Sequence, residues 1–182
     1  YDLRALWLPE EAESDAAEAA LKKPSVQLPL IMIVEYALAQ LWLSWGVKPA
    51  AMVGHSMGEN VAACIAGVIR FEDCIDLVLL RGRLFDEVPA GGMLRISAPL
   101  EAITLHLGEG LDIASVNGPE LIAVSGPDAA LEALQARLAA AEIDCQRIAI
   151  DIAAHSRMLD PILDRYRAFL ATLDLQPPVL PF

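Results

Sequence analysis

Apolar residues in the first half of the chain recur with the period of an α-helix. Over residues 29–45 they return at steps of three and four, as on one buried helical face. These residues are Ile31, Val34, Leu38, Leu41 and Trp42. Gly46 is suited to end this helix, and the apolar run 50–53, closed by Gly54, is typical of a buried strand in a parallel sheet. The pattern therefore predicts a helix followed by a buried parallel strand.

Helical periodicity resumes directly after this strand. We expect one helix over 58–68 and a second, with a charged and an apolar face, over 71–85. Strand, tight turn and helix thus follow one another around Ser56. This order places a side chain at the carboxyl edge of a parallel sheet, where α/β proteins hold their reactive groups.

From Gly91 onward the predicted elements are shorter. Their order is strand, helix, strand, strand, helix and strand, over residues 93–96, 100–107, 113–116, 121–124, 128–141 and 146–152. The two central strands are joined by Asn-Gly-Pro-Glu, a link rich in turn formers. The order βαββαβ predicts a ferredoxin-like subdomain, over 91–154, inserted into a larger α/β body. A last helix is expected over 160–173, closed by Pro177 and Pro178.

The composition is that of a globular chain. The 182 residues are 55% hydrophobic and 21% charged, which suits one main domain with a small second lobe. A net charge of −12 would repel nucleic-acid phosphates and anionic lipids, so neither is expected as a partner. The three cysteines lack metal-ligand spacing and are expected to be thiols buried in a reducing cytoplasm.

The ends of the chain and its apolar runs bear on its location. No charged and apolar leader opens the sequence, and charged residues such as Glu35 and Asp73 interrupt the longest apolar runs. We therefore expect neither secretion nor a membrane span. Because the chain starts abruptly at Tyr1 and stops at Phe182 within an apolar segment, we expect it to be an excerpt of a longer polypeptide.

Residues 54–58, Gly-His-Ser-Met-Gly, fit the G-x-S-x-G pattern between the predicted strand and helix. We expect both glycines to be needed, because the serine sits on a sharp turn without room for neighbouring side chains. Ser56 is the candidate nucleophile. The start of the following helix would point the backbone N–H of Met57 at a developing oxyanion. The alternative is an ordinary glycine-rich turn.

A serine nucleophile needs a base, and the chain has three histidines. His55 adjoins Ser56, so its side chain should project away, which favours a structural role in the turn. His106 falls in a predicted helix of the small lobe and is expected on the surface. His155 follows the last strand of that lobe and is the candidate base, with a structural histidine as the alternative.

Six segments carry a family resemblance. They are Gly54-His55-Ser56-Met57-Gly58-Glu59, Val61-Ala62-Ala63-Cys64, Glu35-Tyr36-Ala37-Leu38-Ala39-Gln40-Leu41-Trp42, Arg81-Gly82-Arg83-Leu84, Val116-Asn117-Gly118-Pro119 and Ala154-His155-Ser156. Together they resemble the acyltransferase domains of modular polyketide synthases, which are similar to the malonyl transacylases of fatty-acid synthesis. The resemblance runs essentially from end to end.

The resemblance implies a fold and a catalytic pair. The fold is a three-layer α/β hydrolase-like core with a parallel sheet, formed by residues 1–90 and 155–182, with the ferredoxin-like subdomain at 91–154. Ser56 would carry the acyl group as an ester, and His155 would be its general base. The reaction would move a malonyl-type extender unit from coenzyme A to an acyl carrier protein.

The resemblance also assigns an arginine. Arg81 lies 25 residues after Ser56, where the family places the arginine that binds the free carboxylate of the malonyl group. A planar guanidinium offers parallel donors to a carboxylate, so the role suits its chemistry. The alternative is a surface arginine paired with Asp76 or Asp86.

Substrates and partners follow from the same resemblance. They are malonyl-CoA or methylmalonyl-CoA, a phosphopantetheinyl acyl carrier protein, and neighbouring synthase domains such as a ketosynthase. No bound cofactor or metal is expected, because both thiols belong to substrates. The residues expected to contact substrate besides Arg81 are His55, Met57, Ile152 and Ala154.

Residues 152–155, Ile-Ala-Ala-His, bear on the extender unit. Relatives with His-Ala-Phe-His here take malonyl and those with Tyr-Ala-Ser-His take methylmalonyl, and this chain has neither. Ala154 leaves room for an α-methyl group. Met57, however, stands where methylmalonyl enzymes commonly carry glutamine. Segments 61–67 and 88–94 also resemble those of the relatives that select malonyl. We expect malonyl, with methylmalonyl as the alternative.

Two family segments are not found within the chain: a Gly-Gln-Gly strand that would precede Tyr1, and a Ser-Asn pair that would follow Phe182. We expect the oxyanion hole and the support of His155 to be incomplete without them. Two other classes stay open. A thioesterase or lipase shares G-x-S-x-G but has no use for a carboxylate-binding Arg81. A non-catalytic carrier-protein docking domain would be expected to lose Ser56 or His155, and both are present.

Overall fold

A computed structural model describes residues 2–182. The chain divides into two compact units: the part up to Asp86 together with Asp164–Phe182, and Glu87–Leu163. We call them the helical unit and the sheet unit. The predicted boundaries gave residues 87–90 and 155–163, including His155, to the core, whereas these residues fall in the sheet unit.

The helical unit is built from helices of very different length. They are α1 (Leu3–Trp7), a 3₁₀ turn (Glu11–Glu13), α2 (Ser14–Leu21), α3 (Pro24–Ser44), α4 (Gly58–Ile65), α5 (Phe71–Phe85) and α8 (Leu163–Leu170). The bounds of α5 are those predicted. Helix α3 begins five residues before the predicted 29, because Pro24 suits the first helical turn and Pro29 is accommodated inside the helix.

The core of the helical unit lies where α3, α4 and α5 meet. Its buried members are Met32, Met57, Val61, Ile69, Cys74, Leu77 and Val78. A side chain at Gly82 would lie 2.6 Å from the Cα of Ser25, so this glycine allows α5 to approach the start of α3. The Ser25 backbone N–H donates to the Asp86 carboxylate at 3.3 Å, which fixes the same junction.

The strand predicted over residues 50–53 does not form. Residues 2–86 and 164–182 contain no strand, and Val53 is 94% exposed. A strand requires a ladder of hydrogen bonds with a neighbour. From this segment the Met52 N–H donates to the Pro181 carbonyl at 2.9 Å, a single hydrogen bond rather than a ladder. The prediction of a parallel sheet is thus not met within this chain.

Helix α3 is more apolar than the sequence analysis expected. By length and composition it is long enough to cross a membrane, and Glu35 is its only charged residue. One such helix is weak evidence, because the core helix of a soluble protein passes the same test. Here α3 packs against α4 and α5 on one side. Toward its end Leu38, Leu41 and Trp42 are exposed.

The sheet unit has the predicted βαββαβ order. Its elements are β1 (Gly92–Ile96), α6 (Leu100–Thr104), β2 (Asp112–Gly118), β3 (Leu121–Gly126), α7 (Asp128–Ala140) and β4 (Cys145–Arg147). The strands form one antiparallel sheet in the order β2-β3-β1-β4. Leu131, Leu134 and Leu138 of α7 are fully buried against this sheet. Their spacing of three and four residues is that of one helical face, which explains why the sequence predicted α7.

Two elements of the sheet unit are shorter than predicted. Helix α6 ends at Thr104 rather than 107, and β4 covers 145–147 rather than 146–152. Strand pairing with β1 covers residues 145–147. The Ile148 N–H still donates to the Met93 carbonyl at 3.0 Å, but the apolar alternation beyond Arg147 is not strand. The predicted helix over 160–173 is a 3₁₀ turn, Arg157–Ile162, followed by α8.

Candidate active site

The turn that carries Ser56 is sharp and strained. Ser56 has φ = 54°, a left-handed backbone conformation that non-glycine residues rarely adopt. A side chain at Gly54 would overlap the backbone of Glu59, so glycine is required there. A side chain at Gly58 would meet nothing within 4 Å, and the expectation that this second glycine is needed for space is wrong. A strained serine directly before a helix is the part of a nucleophile elbow that the described residues contain.

Helix α4 starts directly after this turn. The Gly58 N–H donates to the His55 carbonyl at 3.0 Å, and the Glu59 N–H donates to the Ser56 carbonyl at 3.3 Å. The Asn60 side-chain amide donates to the Met57 carbonyl at 3.0 Å, which ties the turn to the helix. Ser56 therefore lies at the positive end of the α4 dipole, which favours negative charge beside it.

A cavity of about 240 Å³ in the helical unit joins Ser56 to Arg81. The polar side chains along it are Ser56, Glu59, Asn60, Arg81 and Tyr166, with Cys74 among the others. The candidate nucleophile and the predicted carboxylate ligand thus face one space, although they lie on different elements. The structure brings these two predicted site residues together.

Arg81 occupies this cavity with few partners. Its Nη2 lies 3.4 Å from the Met57 sulfur, and its guanidinium carbon lies 5.8 Å from the centre of the Phe85 ring. Its Nε is buried and has no hydrogen-bond partner among residues 2–182. Burial lowers the pKa of the guanidinium, but an arginine stays protonated at neutral pH. A half-buried cation whose buried Nε–H is unused has the chemistry of an anion site.

The alternative of a surface arginine paired with an aspartate does not describe Arg81. The carboxylate of Asp86 accepts a hydrogen bond from Ser25 instead. The acidic group that acts electrostatically on Arg81 is Glu59, from the same cavity.

Tyr166 is the cavity residue that the sequence analysis missed. It lies on α8 and lines the same cavity as Arg81, and its hydroxyl interacts electrostatically with the guanidinium. Burial raises the pKa of the phenol. Arg81 and Tyr166 lie far apart in the sequence, and nothing in the local pattern of α8 distinguishes Tyr166 from an ordinary core aromatic. The pairing could be found only once α5 and α8 were placed.

His55 lies on the other side of the turn. It lines a second cavity of about 470 Å³, with Glu35, Trp42 and Met52 on its walls, while Ser56 lines the first cavity. The Glu35 Oε2 atom is buried without a hydrogen-bond partner among the described residues, and burial raises the pKa of this carboxyl. The structure does not bring His55 into the cavity that holds Ser56 and Arg81.

His155 sits in a strained turn of the sheet unit. It has φ = 58° and is exposed, whereas Ile152 before it is buried and Ala154 is half-buried. The next residue, Ser156, donates from Oγ to the Ala153 carbonyl at 2.7 Å and accepts from the Met158 N–H at 3.2 Å. These bonds close a loop around His155 and fix its backbone.

An ion pair anchors the segment after His155 to the sheet. The Arg157 guanidinium lies 2.6 Å from the Asp112 carboxylate of β2, and the Arg157 N–H donates to the same group at 2.9 Å. Hydrogen bonds from Arg157 lower the pKa of Asp112. His106, the remaining histidine, lies beyond the end of α6 and is half-buried rather than on the surface of a helix.

Residues 2–182 contain no group of three or more His, Cys, Asp or Glu side chains arranged to hold a metal ion. The cysteines Cys64, Cys74 and Cys145 are free thiols.

Comparison with known proteins agrees with this geometry. A family model described as the acyl transferase domain matches residues 14–182. The spectinabilin polyketide synthase system protein NorA' of Streptomyces orinoci is 40% identical over 171 residues, which cover 91% of this chain and 5% of that protein. The chain thus spans a small part of that relative.

Solved acyltransferase domains have the same fold. The domain from the second module of the salinomycin polyketide synthase gives a TM-score of 0.86 at 34% identity, covering 98% of this chain and 44% of that one. The acyl transferase domain of SpnD, in complex with 2-(pent-4-yn-1-yl)malonyl, gives 0.84 at 36% identity, covering 99% and 42%. This chain belongs to the acyl transferase domain family, in the form in which that domain occurs in polyketide synthases.

Proposed function

We propose that the parent domain of this chain transfers a malonyl-type extender unit from coenzyme A to the phosphopantetheine thiol of an acyl carrier protein. The observation that carries the proposal is the cavity shared by Ser56, on a strained turn, and Arg81, with a buried unpaired donor. A thioesterase or lipase would use Ser56 alone, and a docking domain would need neither residue. A nucleophile beside an anion site suits a substrate with both a thioester and a carboxylate.

In the proposed first half-reaction the Ser56 hydroxyl attacks the thioester carbonyl of malonyl-CoA. His155 takes the proton from Ser56 as general base. It then gives this proton to the sulfur of coenzyme A, which leaves as a thiol when the C–S bond breaks. The backbone N–H of Met57 and the α4 dipole would stabilise the oxyanion. In the second half-reaction the carrier-protein thiol attacks the Ser56 ester, gives its proton to His155 and restores the free serine.

Arg81 and Tyr166 would together hold the malonyl carboxylate. A guanidinium can only donate, so the Tyr166 oxygen would accept from it and the phenol O–H would donate to one carboxylate oxygen. The guanidinium would donate to the carboxylate as a charge-assisted pair. An acyl group without a carboxylate would leave this cation desolvated and unpaired, so such substrates are disfavoured.

For the extender unit we propose malonyl, with methylmalonyl as the alternative. Met57 is buried and its sulfur lies against Arg81 Nη2, so it fills space beside the proposed carboxylate site. The SpnD domain was solved with a malonyl group that carries a large α-substituent, so this family accommodates different groups at that carbon. One methylene is worth about 1–3 kcal/mol in an apolar pocket. Substitution of one residue, such as Met57 or Ala154, is therefore enough to change the preference between malonyl and methylmalonyl.

We further propose that residues 50–53 join a parallel, hydrolase-like sheet in the full domain. Their support is the apolar run itself and the exposed apolar side chains beside it, Leu38, Trp42 and Val53. A cytoplasmic location within a larger synthase, next to a ketosynthase, remains part of this proposal. The chain covers less than half of each solved domain reported above.

Competition between malonyl-CoA and methylmalonyl-CoA at equal concentration tests the substrate. We expect the parent domain to load malonyl preferentially. A methylmalonyl preference beyond about tenfold would contradict the malonyl assignment. In that case Ala154→Phe should shift loading back toward malonyl, and failure of that variant to do so would refute the role given to position 154.

A further inference from the structure

Two cysteines face each other across the helices that carry the candidate site. Cys64 lies in α4, the helix that follows Ser56, and Cys74 lies in α5, the helix that carries Arg81. Both belong to the core of the helical unit, where Cys74 is buried and Cys64 is half-buried. The function proposed above uses neither thiol.

A hydrogen bond locates the Cys74 sulfur against α4. Its Sγ lies 3.7 Å from the backbone carbonyl oxygen of Asn60. Asn60 stands one helical turn before Cys64, and side chains on a helix lean toward its N-terminus. The Cys64 side chain therefore points toward the turn that Cys74 contacts. The two thiols are close enough for each to shift the pKa of the other.

The surroundings make the two sulfurs chemically unequal. Contact with Cys74 lowers the pKa of the Cys64 thiol, whereas contact with Cys64 and burial raise that of Cys74. Cys64 is also the more exposed of the two. An accessible thiol with increased thiolate character is the one that an oxidant attacks first, and a second thiol in contact can then resolve it.

We propose that Cys64 and Cys74 form a reversible disulfide that links α4 to α5 when the domain meets a peroxide. In the first step the Cys64 thiolate attacks one oxygen of hydrogen peroxide. The O–O bond breaks, Cys64 becomes a sulfenic acid, and hydroxide leaves and is protonated to water. In the second step the Cys74 sulfur attacks the Cys64 sulfur, its proton is lost, and a second hydroxide leaves as water. Both sulfurs are oxidised and the peroxide is reduced to water.

The disulfide would reach the substrate cavity through Cys74. Cys74 lines that cavity and acts electrostatically on Arg81, which lies two turns further along α5. Drawing the Cys74 sulfur toward Cys64 would shift helix α5, and Arg81 would move with it. Since misplacement by about 1 Å can cost up to a hundredfold in rate, we expect oxidation to lower malonyl loading roughly tenfold.

The test treats the parent domain with hydrogen peroxide and maps its thiols by alkylation and peptide mass spectrometry. We expect a peptide pair joined through Cys64 and Cys74, with Cys145 still alkylated. A thiol reductant should restore both thiols and the loading of malonyl. Finding Cys64 and Cys74 separately alkylated after treatment of the folded domain would overturn the proposal.

Two variants separate this disulfide from other oxidation. Cys64→Ala should load malonyl normally before treatment and resist the peroxide, whereas Cys145→Ser should behave like the parent. If Cys64→Ala loses activity to the same extent, the link to activity is wrong, and oxidation of Met57 beside Arg81 is the competing cause. The mapped disulfide does not depend on the proposed acyl transfer, so the two ideas can fail separately.

Discussion

The two units of the chain use their backbones differently. The sheet unit, Glu87–Leu163, closes four strands over α7 and buries Leu131, Leu134 and Leu138 completely. The helical unit contains no strand in residues 2–86 or 164–182 and leaves Trp42, Trp45 and Val53 exposed. The sheet unit pairs its strands and covers one apolar face with its own helix, while the helical unit assembles a polar cavity between helices.

This contrast separates packing from chemistry. The residues placed in the shared cavity, Ser56 and Arg81, lie in the unit with the less complete core. In the sheet unit, His155 lies on a strained turn that is closed by hydrogen bonds of the neighbouring Ser156. If the contrast is right, substitutions in the sheet core should change stability, and substitutions around the cavity should change substrate selection.

The largest effect is expected from Leu134→Ala in the sheet unit. Leu134 is fully buried between α7 and the sheet. Removing its side chain leaves a cavity, so we expect a loss of about 2–5 kcal/mol in the free energy of unfolding. Chemical denaturation measures this, and the ratio of malonyl to acetyl loading should stay unchanged at temperatures where the variant is folded. A changed ratio would contradict the separation of roles.

Arg81→Ala makes the opposite test in the helical unit. We expect malonyl loading to fall by about a hundredfold, because a charge-assisted pair with the carboxylate is lost, while acetyl loading is spared. The kcat/KM values for malonyl-CoA and acetyl-CoA measure this. Arg83→Ala, an exposed residue on the same helix, is the control and should leave both unchanged. Equal losses for malonyl and acetyl would show that Arg81 is structural.

The glycines beside Ser56 sharpen the comparison at a single turn. Gly54→Ala would press a methyl group into the backbone of Glu59, so we expect it to destabilise the helical unit by about 1–3 kcal/mol. Gly58→Ala meets open space and adds a better helix former at the start of α4, so it should be neutral or slightly stabilising. Thermal unfolding of both variants distinguishes them, and equal losses would contradict the observed turn.

The smallest effect is expected from Tyr166→Phe. This variant keeps the ring and removes the hydroxyl that contacts Arg81. The lost hydrogen bond should raise the KM for malonyl-CoA by about fivefold to tenfold with little change in kcat or in acetyl loading. Tyr36→Phe is the matched control, because Tyr36 packs against Phe71 and does not line the cavity. An unchanged KM would remove Tyr166 from the carboxylate site.

The sequence was most informative where an element finds its partners inside the chain. The βαββαβ order and the bounds of α5 were predicted, because strands β1 to β4 pair with one another and α5 has a clear apolar face. The strand over 50–53 failed because apolar pattern alone does not supply a neighbouring ladder. Helices α1 and α2 were missed, since they bury a single residue, Ala17, between them.

The site divides in the same way. The turn at Ser56 was predicted from five consecutive residues. Arg81 was identified because it lies 25 residues after Ser56, as the family resemblance implies. Tyr166 and the Cys64–Cys74 contact depend on how separate helices pack, and no local spacing encodes them. The roles of His155, His55, Ile152 and Ala154 stay predictions.

The central claim is that Ser56 carries the acyl group, and peptide mass spectrometry of the parent domain after brief exposure to malonyl-CoA tests it most directly. We predict one malonyl group for each protein molecule, attached to the peptide that contains Ser56 and absent from Ser56→Ala. An acyl group on another residue, or one that persists in Ser56→Ala, would contradict the account.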